Sequence, residues 1–488
     1  MNREFLLNAL FLLFVNVLVK PFYVFGIERT IQDRVGPEVY GLYATLFSFT
    51  FLLFMVNDFG IHYFNNTTIA KHPQLIGKYF PNILVVKILL TSLYLLLVFA
   101  AAIFRGFERQ IFHLIFFIAL NHVLISLVAY LRSNISGLGM YRTDSVISTL
   151  DKLLLIGVCA VLLWGPVSGG KFRIEWFVHA QNLTWFLTAL TAFIIVKKHS
   201  RQSLRFRFNR PMLLLILKKS APFALAVFLM TAYTRFDIVM LEWLLPDGRH
   251  EAGVYAAAYR LLDAFNMAGY LFAGLLLPMF STLLVNRNIR QLQSLLRLSL
   301  QLIWAGTVAV AVACFFFREE LMLLMYPETA TPYYGDVLAF IILTLVPFSG
   351  IFIYSTLLTA HGSLKKMNRL FLMGILLNVT LNLLLIPVWK AVGAGISAFS
   401  TQTFVLAGMM FLSGKELELS VEWKQVLKIT AFVLLVVAAN WQLYLLPGFA
   451  WLIKFTAGIT TGLVMAFVLR LIQLKMLLSL VKRQEVIA

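Results

Sequence analysis

Charge is scarce in this chain. Only 13% of its 488 residues are Asp, Glu, Lys or Arg, whereas 60% are hydrophobic and the mean hydropathy is +0.86. Soluble domains carry about twice that share of charge, so a water-soluble globular protein is excluded and a polytopic membrane protein is expected. Cysteine is nearly absent too. Cys159 and Cys314 both sit inside apolar runs, which leaves no disulfide framework and says nothing about redox compartment.

Catalytic signatures are missing as well. No G-x-x-x-x-G-K-[ST] loop occurs, and Gly169-Gly170-Lys171 lacks both its spacing and the Ser or Thr that follows, so ATP is not the direct drive. The eight His are scattered without an H-E-x-x-H or Cys/His grouping, so no metal and no other cofactor is expected, and His122 and His179 read as packing residues. Long loops are also lacking. The longest outside one basic segment, 61–80 and 318–334, are too short for a catalytic domain, which weighs against a membrane glycosyltransferase or ligase. The start, MNREF and an apolar run past residue 25, has no small-residue cleavage site and reads as a retained first helix.

What the chain has in abundance is apolar runs long enough to cross about 30 Å of hydrocarbon. Six fall between residues 5 and 196 and eight between 220 and 470, giving about fourteen transmembrane helices. Most of the 41 Lys and Arg collect on alternate loops, which orients both termini to the cytoplasm. The net charge of +19 is then a property of the cytoplasmic face attracted to anionic lipids, not a nucleic-acid footprint. Trp164, Trp176, Trp243, Trp389, Trp441 and Trp451 fall at outer helix ends, where interfacial anchors belong.

These runs divide the chain. Residues 1–196 form an N-terminal lobe, 197–219 a basic cytoplasmic linker beginning KKHSRQSLRFRFNRP, and 220–413 a C-terminal lobe. Two extra helices follow at 414–470, then a cytoplasmic tail at 471–488. GPEVYGLYATLFSF at Gly36 to Phe49 matches EAGVYAAAYRLLDAF at Glu251 to Phe265, with Val39-Tyr40 on Val254-Tyr255. The same register carries Lys20 onto Arg235. The expected architecture is therefore an all-α polytopic membrane protein with two pseudo-repeated six-helix lobes around a central cavity, plus two C-terminal helices.

The candidate site follows from charges inside apolar runs, which are costly unless paired or facing a wet cavity. Arg235, Asp237, Arg260 and Asp263 lie on a helical hairpin roughly 13 to 17 Å from its turn. Equal depth makes Arg235 with Asp263, and Asp237 with Arg260, the expected partners, and the plainer alternative is a pair of structural ion bridges. Lys87 and Lys152 lie about 9 Å inside the cytoplasmic ends of their spans. They read as snorkelling or cavity cations, with Asp151 a partner for Lys87. Asp58 reads as a helix-end or gate residue, and Asp237 and Asp263 are the better carboxylates for proton or sodium coupling. Cations exceed carboxylates in the spans, which favours an anionic substrate. An antiporter for organic cations would want the reverse.

GPEVYGLYA followed by Asn57-Asp58-Phe59-Gly60, and RFDIVMLEWLL followed by GVYAAAYRLLDAF, resemble the two half-signatures of bacterial polysaccharide flippases of the multidrug/oligosaccharidyl-lipid/polysaccharide exporter superfamily. The resemblance covers both lobes. It implies a V-shaped pair of six-helix bundles in the bacterial inner membrane, carrying an undecaprenyl-diphosphate-linked oligosaccharide to the periplasmic leaflet for surface polysaccharide, lipopolysaccharide or O-antigen assembly. A polysaccharide polymerase is a candidate partner, and the two extra helices resemble the arrangement in lipid II flippases. Lys20, Arg235 and Arg260 are placed to bind the diphosphate, Arg by a fork and Lys by a point charge.

Overall fold

A computed structural model describes residues 19, 21–165, 172–200, 210–419 and 423–471. Lys20, residues 201–209 of the basic linker and residues 472–488 of the C-terminal tail lie outside the described residues. The chain is an all-α polytopic membrane protein, and no strand occurs among the described residues. After a π-helical turn at Tyr23–Glu28 come α1 (Arg29–Leu52), α2 (Phe54–Asp58), α3 (Ile61–Lys71), α4 (Ile76–Arg105), α5 (Ile111–Gly137), α6 (Tyr141–Trp164), α7 (Ile174–Ser200) and α8 (Arg210–Leu244). They are followed by α9 (Gly248–Val285), α10 (Ile289–Phe316), α11 (Arg318–Met325), α12 (Pro332–Leu343), α13 (Leu345–His361), α14 (Leu364–Leu417), α15 (Trp423–Leu445) and α16 (Trp451–Val468).

The burial pattern is that of a protein dissolved in lipid. Asn57, His122, Asn378 and Asn382 are fully buried, whereas Phe104 is 95% exposed and Val285 81%. Polar groups turn inward because hydrocarbon offers them no partner, and apolar groups lose nothing by facing out.

Nine helices among the described residues are long and apolar enough to span a membrane, or ten if the pair Tyr23–Leu52 and Phe54–Ala70, bent by 45°, counts as one span. The expected number was about fourteen, and α14 shows one origin of the difference. Its 54 residues would reach about 80 Å if straight. At Lys390 the backbone turns (φ 51, ψ −131), and the two arms lie side by side. Lys366 Nζ sits 2.5 Å from Glu416 Oε1, and Asn378 Nδ2 donates to Ser397 Oγ at 3.3 Å. The arms pack closely. A Cβ on Gly408 would come within 2.4 Å of Leu370. The stretch is thus two antiparallel helical arms meeting at Lys390, and they are the two spans expected near 368–388 and 392–413. A second break occurs in α1 at Gly36 (φ 81, ψ 166), ahead of Pro37. Helices α8 and α9 are not among the nine.

The chain divides into two compact units, residues 2–239 and 240–488. This boundary falls within α8, not in the basic segment. In the first unit α5 packs along α3 and α7, and Phe80, Tyr130, Ile135 and Val196 are part of its core. In the second unit α9 packs on α12 and α13. Helices α15 and α16 attach to α10, where Phe432, Val436 and Ala466 meet Ala305, Val308 and Val312.

Candidate functional site

Helix α2 is five residues long and stops where Phe59 (φ 50) and Gly60 (φ 66) both take left-handed conformations. The stop places Asp58, its last residue, among α3, α4 and α5. Asp58 Oδ1 accepts from Lys87 Nζ at 3.1 Å and Ser126 Oγ at 3.3 Å, and Oδ2 accepts from His62 Nδ1 at 2.7 Å and the Gly60 amide at 3.1 Å. Lys87 also donates to Ser126. A buried ion pair is tolerable only when such further bonds satisfy both charges, and here they do. The cluster clamps the broken second span to its neighbours. Asn57 extends it, donating to the His122 carbonyl at 3.1 Å and accepting from Thr91 at 2.9 Å.

This corrects the reading of Lys87. It is 5% exposed and paired with Asp58, so it neither snorkels nor meets Asp151. The broken helix brings Asp58 to it, and helical periodicity cannot foresee that break. Asp58 is at a helix end, as expected. Asp151 instead lies 3.3 Å from its neighbour Lys152. The Lys152 ammonium is 4.5 Å from the centre of the Tyr23 ring and 5.5 Å from Trp185. Aromatic faces thus meet a half-buried cation there.

Arg235 is half-buried, with its guanidinium 5.6 Å from the Phe51 ring. Phe51 stacks on Phe54 at 5.1 Å and lies 5.2 Å from His122, which is packed among these rings. An aromatic ladder on α1 and α2 therefore backs the cation on α8. Asp237 and Arg260 are buried, but Asp263 is exposed. Of the four hairpin charges, two are thus buried, Arg235 is half-buried and Asp263 is exposed. Each of residues 251–262 is buried, and Asp263 is the first position beyond that enclosed stretch of small and aromatic side chains.

A second cluster escaped sequence reasoning. Buried Glu251 accepts at Oε2 from Tyr333 OH at 2.6 Å and from the Ala391 amide at 3.2 Å. Lys390 Nζ lies 2.5 Å from Asp247 Oδ2 and 3.6 Å from Glu251 Oε1. The turn before α9, the start of α12 and the break in α14 thus meet in one polar seam. The available signal was Glu251 at the head of the repeated E-A-G-V-Y stretch, yet Tyr333 and Lys390 are far from it in sequence. No group of three or more His, Cys, Asp and Glu able to hold a metal ion occurs among the described residues.

Broken helices, polar side chains turned inward and cations lodged among aromatic rings belong to a polytopic membrane protein whose fold is shared with solved transporters of the MOP superfamily. An inward-facing multidrug resistance MATE family transporter of that superfamily aligns with a TM-score of 0.65 at 17% identity, over 81% of this chain and 94% of its own. The lipid II flippase MurJ, in an inward closed conformation, aligns with a TM-score of 0.63 at 16% identity, over 99% of this chain and 98% of its own. The Vibrio cholerae MATE transporter VcmN in its bent form gives 0.55 at 14% identity, over 84% of this chain and 95% of its own. The signature of the family described as polysaccharide biosynthesis protein matches residues 6–284, more than half of the chain, and the chain belongs to that family. No curated protein matches it.

Proposed function

We propose that this protein flips an undecaprenyl-diphosphate-linked oligosaccharide from the cytoplasmic to the periplasmic leaflet of a bacterial inner membrane by alternating access, supplying surface polysaccharide or lipopolysaccharide assembly. The observation that carries this reading is membership of the polysaccharide biosynthesis family in a chain whose fold is shared, over 99% of its length, with a protein named as a lipid II flippase. That coverage extends to α15 and α16, whereas the multidrug transporter covers 81%.

The chemistry agrees with an anionic headgroup. Arg235, with a planar donor fork and a ring at its back, suits phosphate oxygens, and Lys20 and Arg260 add charge without a carboxylate excess. Asp58 is unsuited to coupling, since Lys87, His62, Ser126 and the Gly60 amide already occupy its oxygens. Asp237 and Asp263 are the carboxylates left for a proton or sodium ion. Antiport of organic cations is the second reading, and the excess of embedded cations counts against it.

Complementation of surface glycan in a deletion strain, with protein levels matched, tests the assignment. Lys20→Arg keeps most display, Arg235→Lys is intermediate because the fork is lost, and Lys20→Gln or Arg235→Gln abolishes it. Full display by the Lys20→Gln, Arg235→Gln double variant would remove both residues from substrate binding.

A further inference from the structure

The second unit carries a cavity of about 630 Å³ that the proposed flipping does not use. It lies between the first half of α10, α13, the end of α14 and the start of α15, and its lining falls wholly within residues 293–429. The lining is two-natured. Leu300, Trp304, Tyr354, Met410, Phe411 and Ile429 give it an apolar body, and Arg297 and Lys415, with Gln293 and Gln425, give it a cationic, amide-bearing rim. A hydrogen bond of 2.6 Å from Gln301 Nε2 to Gln425 Oε1 ties α10 to α15 beside it.

The setting is also charged with one sign. The Lys366–Glu416 contact brings both ends of α14 to this face. Arg290, Arg297, Lys365, Lys366, Lys415 and Lys424 belong to the helix ends here, against Glu416 and Glu418 among the described residues. By the positive-inside bias this is the cytoplasmic end. Beyond the rim the wall is open to the membrane, with Phe411 74% exposed and Met410 41%.

We propose that this cavity is a binding site for one anionic diacyl phospholipid of the cytoplasmic leaflet, its phosphate at Arg297 and Lys415 and one acyl chain along Leu300, Trp304, Met410 and Phe411. Basic pockets between transmembrane helices on that side recognise acidic headgroups by charge, and a volume of this size is that of a ligand pocket, not a packing gap. A soluble anion would gain nothing from the apolar body. A lipid of net negative charge complements Arg297, Lys415 and the basic helix ends around them better than a zwitterionic one. The lining lies beyond residues 6–284, the part matched by the family signature, which favours a lipid present in the membrane at large over the family's own substrate.

Native mass spectrometry of the delipidated full-length protein, titrated with phosphatidylglycerol, phosphatidylcholine or glycerol 3-phosphate, tests the site. Phosphatidylglycerol is expected to bind selectively, and Arg297→Gln with Lys415→Gln to weaken it roughly 30-fold, taking about one increment of surface attraction per cation. Arg290→Gln with Lys365→Gln, which removes the same charge from the same face, is expected to leave binding within about 3-fold. Met410→Trp, which fills the cavity and keeps both cations, is expected to abolish selective retention. It also preserves the test if the charge pair variant fails to fold, which size exclusion and thermal unfolding report. Equal binding of phosphatidylcholine, competition by glycerol 3-phosphate, or preferential displacement by undecaprenyl phosphate would each overturn the proposal, the last by assigning the cavity to the substrate's tail.

Discussion

Two Lys–Asp pairs, one in each unit, use the same functional groups in opposite surroundings. Lys87 and Asp58 have side chains 5% and 6% exposed and share Ser126, His62 and a backbone amide. Lys390 and Asp247 are 48% and 44% exposed, although their contact is shorter, at 2.5 Å against 3.1 Å. Distance is therefore a poor guide to what each pair contributes. Burial sets the cost of breaking it, because a lone charge left in low dielectric has no water to replace its partner. The first pair is a structural necessity of a broken helix, and the second helps steady a turn that solvent could also serve.

The comparison breaks first at Lys87. Lys87→Met, leaving Asp58 buried with His62, is expected to cost about 3 to 5 kcal/mol, and adding Asp58→Asn should recover much of that loss. Thermal unfolding of the two variants in detergent measures it, and strictly additive effects would dissolve the pair. Next comes Glu251, the buried member of the second cluster. Glu251→Gln weakens its bonds to Tyr333 and the Ala391 amide and is expected to cost about 1.5 to 3 kcal/mol.

The two helix breaks sharpen the same contrast. Gly36, at φ 81 and ψ 166, occupies a region open essentially to glycine, so Gly36→Ala should cost about 1 to 3 kcal/mol. Lys390, at φ 51 and ψ −131, is a non-glycine residue in a conformation that glycine takes freely. Lys390→Gly relieves that strain while giving up the contacts to Asp247 and Glu251, and should change stability far less than Gly36→Ala. Equal costs at both positions would mean that local backbone conformation does not distinguish the breaks.

The smallest effect is expected at Asp247, where Asp247→Asn should cost under about 1 kcal/mol and less still in high salt. Its hydrogen bond from Lys390 holds the Asp247 carboxyl below its ordinary value. A depressed folded-state pKa stabilises the fold above the unfolded value of about 3.9 and stops doing so as pH falls through the folded value. The difference between wild type and Asp247→Asn should therefore be constant at neutral pH and close only below about pH 4. An unfolding series across that range checks the sign.

Much of this was legible in the residues. Long apolar runs gave the fold class, and in the repeated V-Y stretches Tyr40 and Tyr255 are both buried, whereas Val39 is 43% exposed and Val254 fully buried. Apolar runs also placed the two arms of α14 on either side of Lys390, but composition could not foresee the break at Gly36. Nor could it pair Lys87 with Asp58, whose meeting depends on two consecutive left-handed residues at Phe59 and Gly60. Depth along a helix locates charged residues within a span, but it carries no azimuth. That is why depth does not separate exposed Asp263 from buried Asp237 and Arg260, and why it reads Lys87 as a snorkelling or cavity cation and not as the partner of Asp58.

The central claim, that this protein moves a polyprenyl-diphosphate sugar between leaflets, is tested most directly by reconstitution. Purified protein is placed in vesicles with a labelled undecaprenyl-diphosphate oligosaccharide, and the fraction exposed to an impermeant sugar-modifying enzyme is followed in time. Wild-type protein is predicted to expose the inner-leaflet pool, and Arg235→Gln, folded and incorporated to the same extent, to leave it protected as in protein-free vesicles. A wild-type rate equal to that of protein-free vesicles, under conditions where the same preparation exchanges an organic cation for protons, would contradict the account and favour the antiporter.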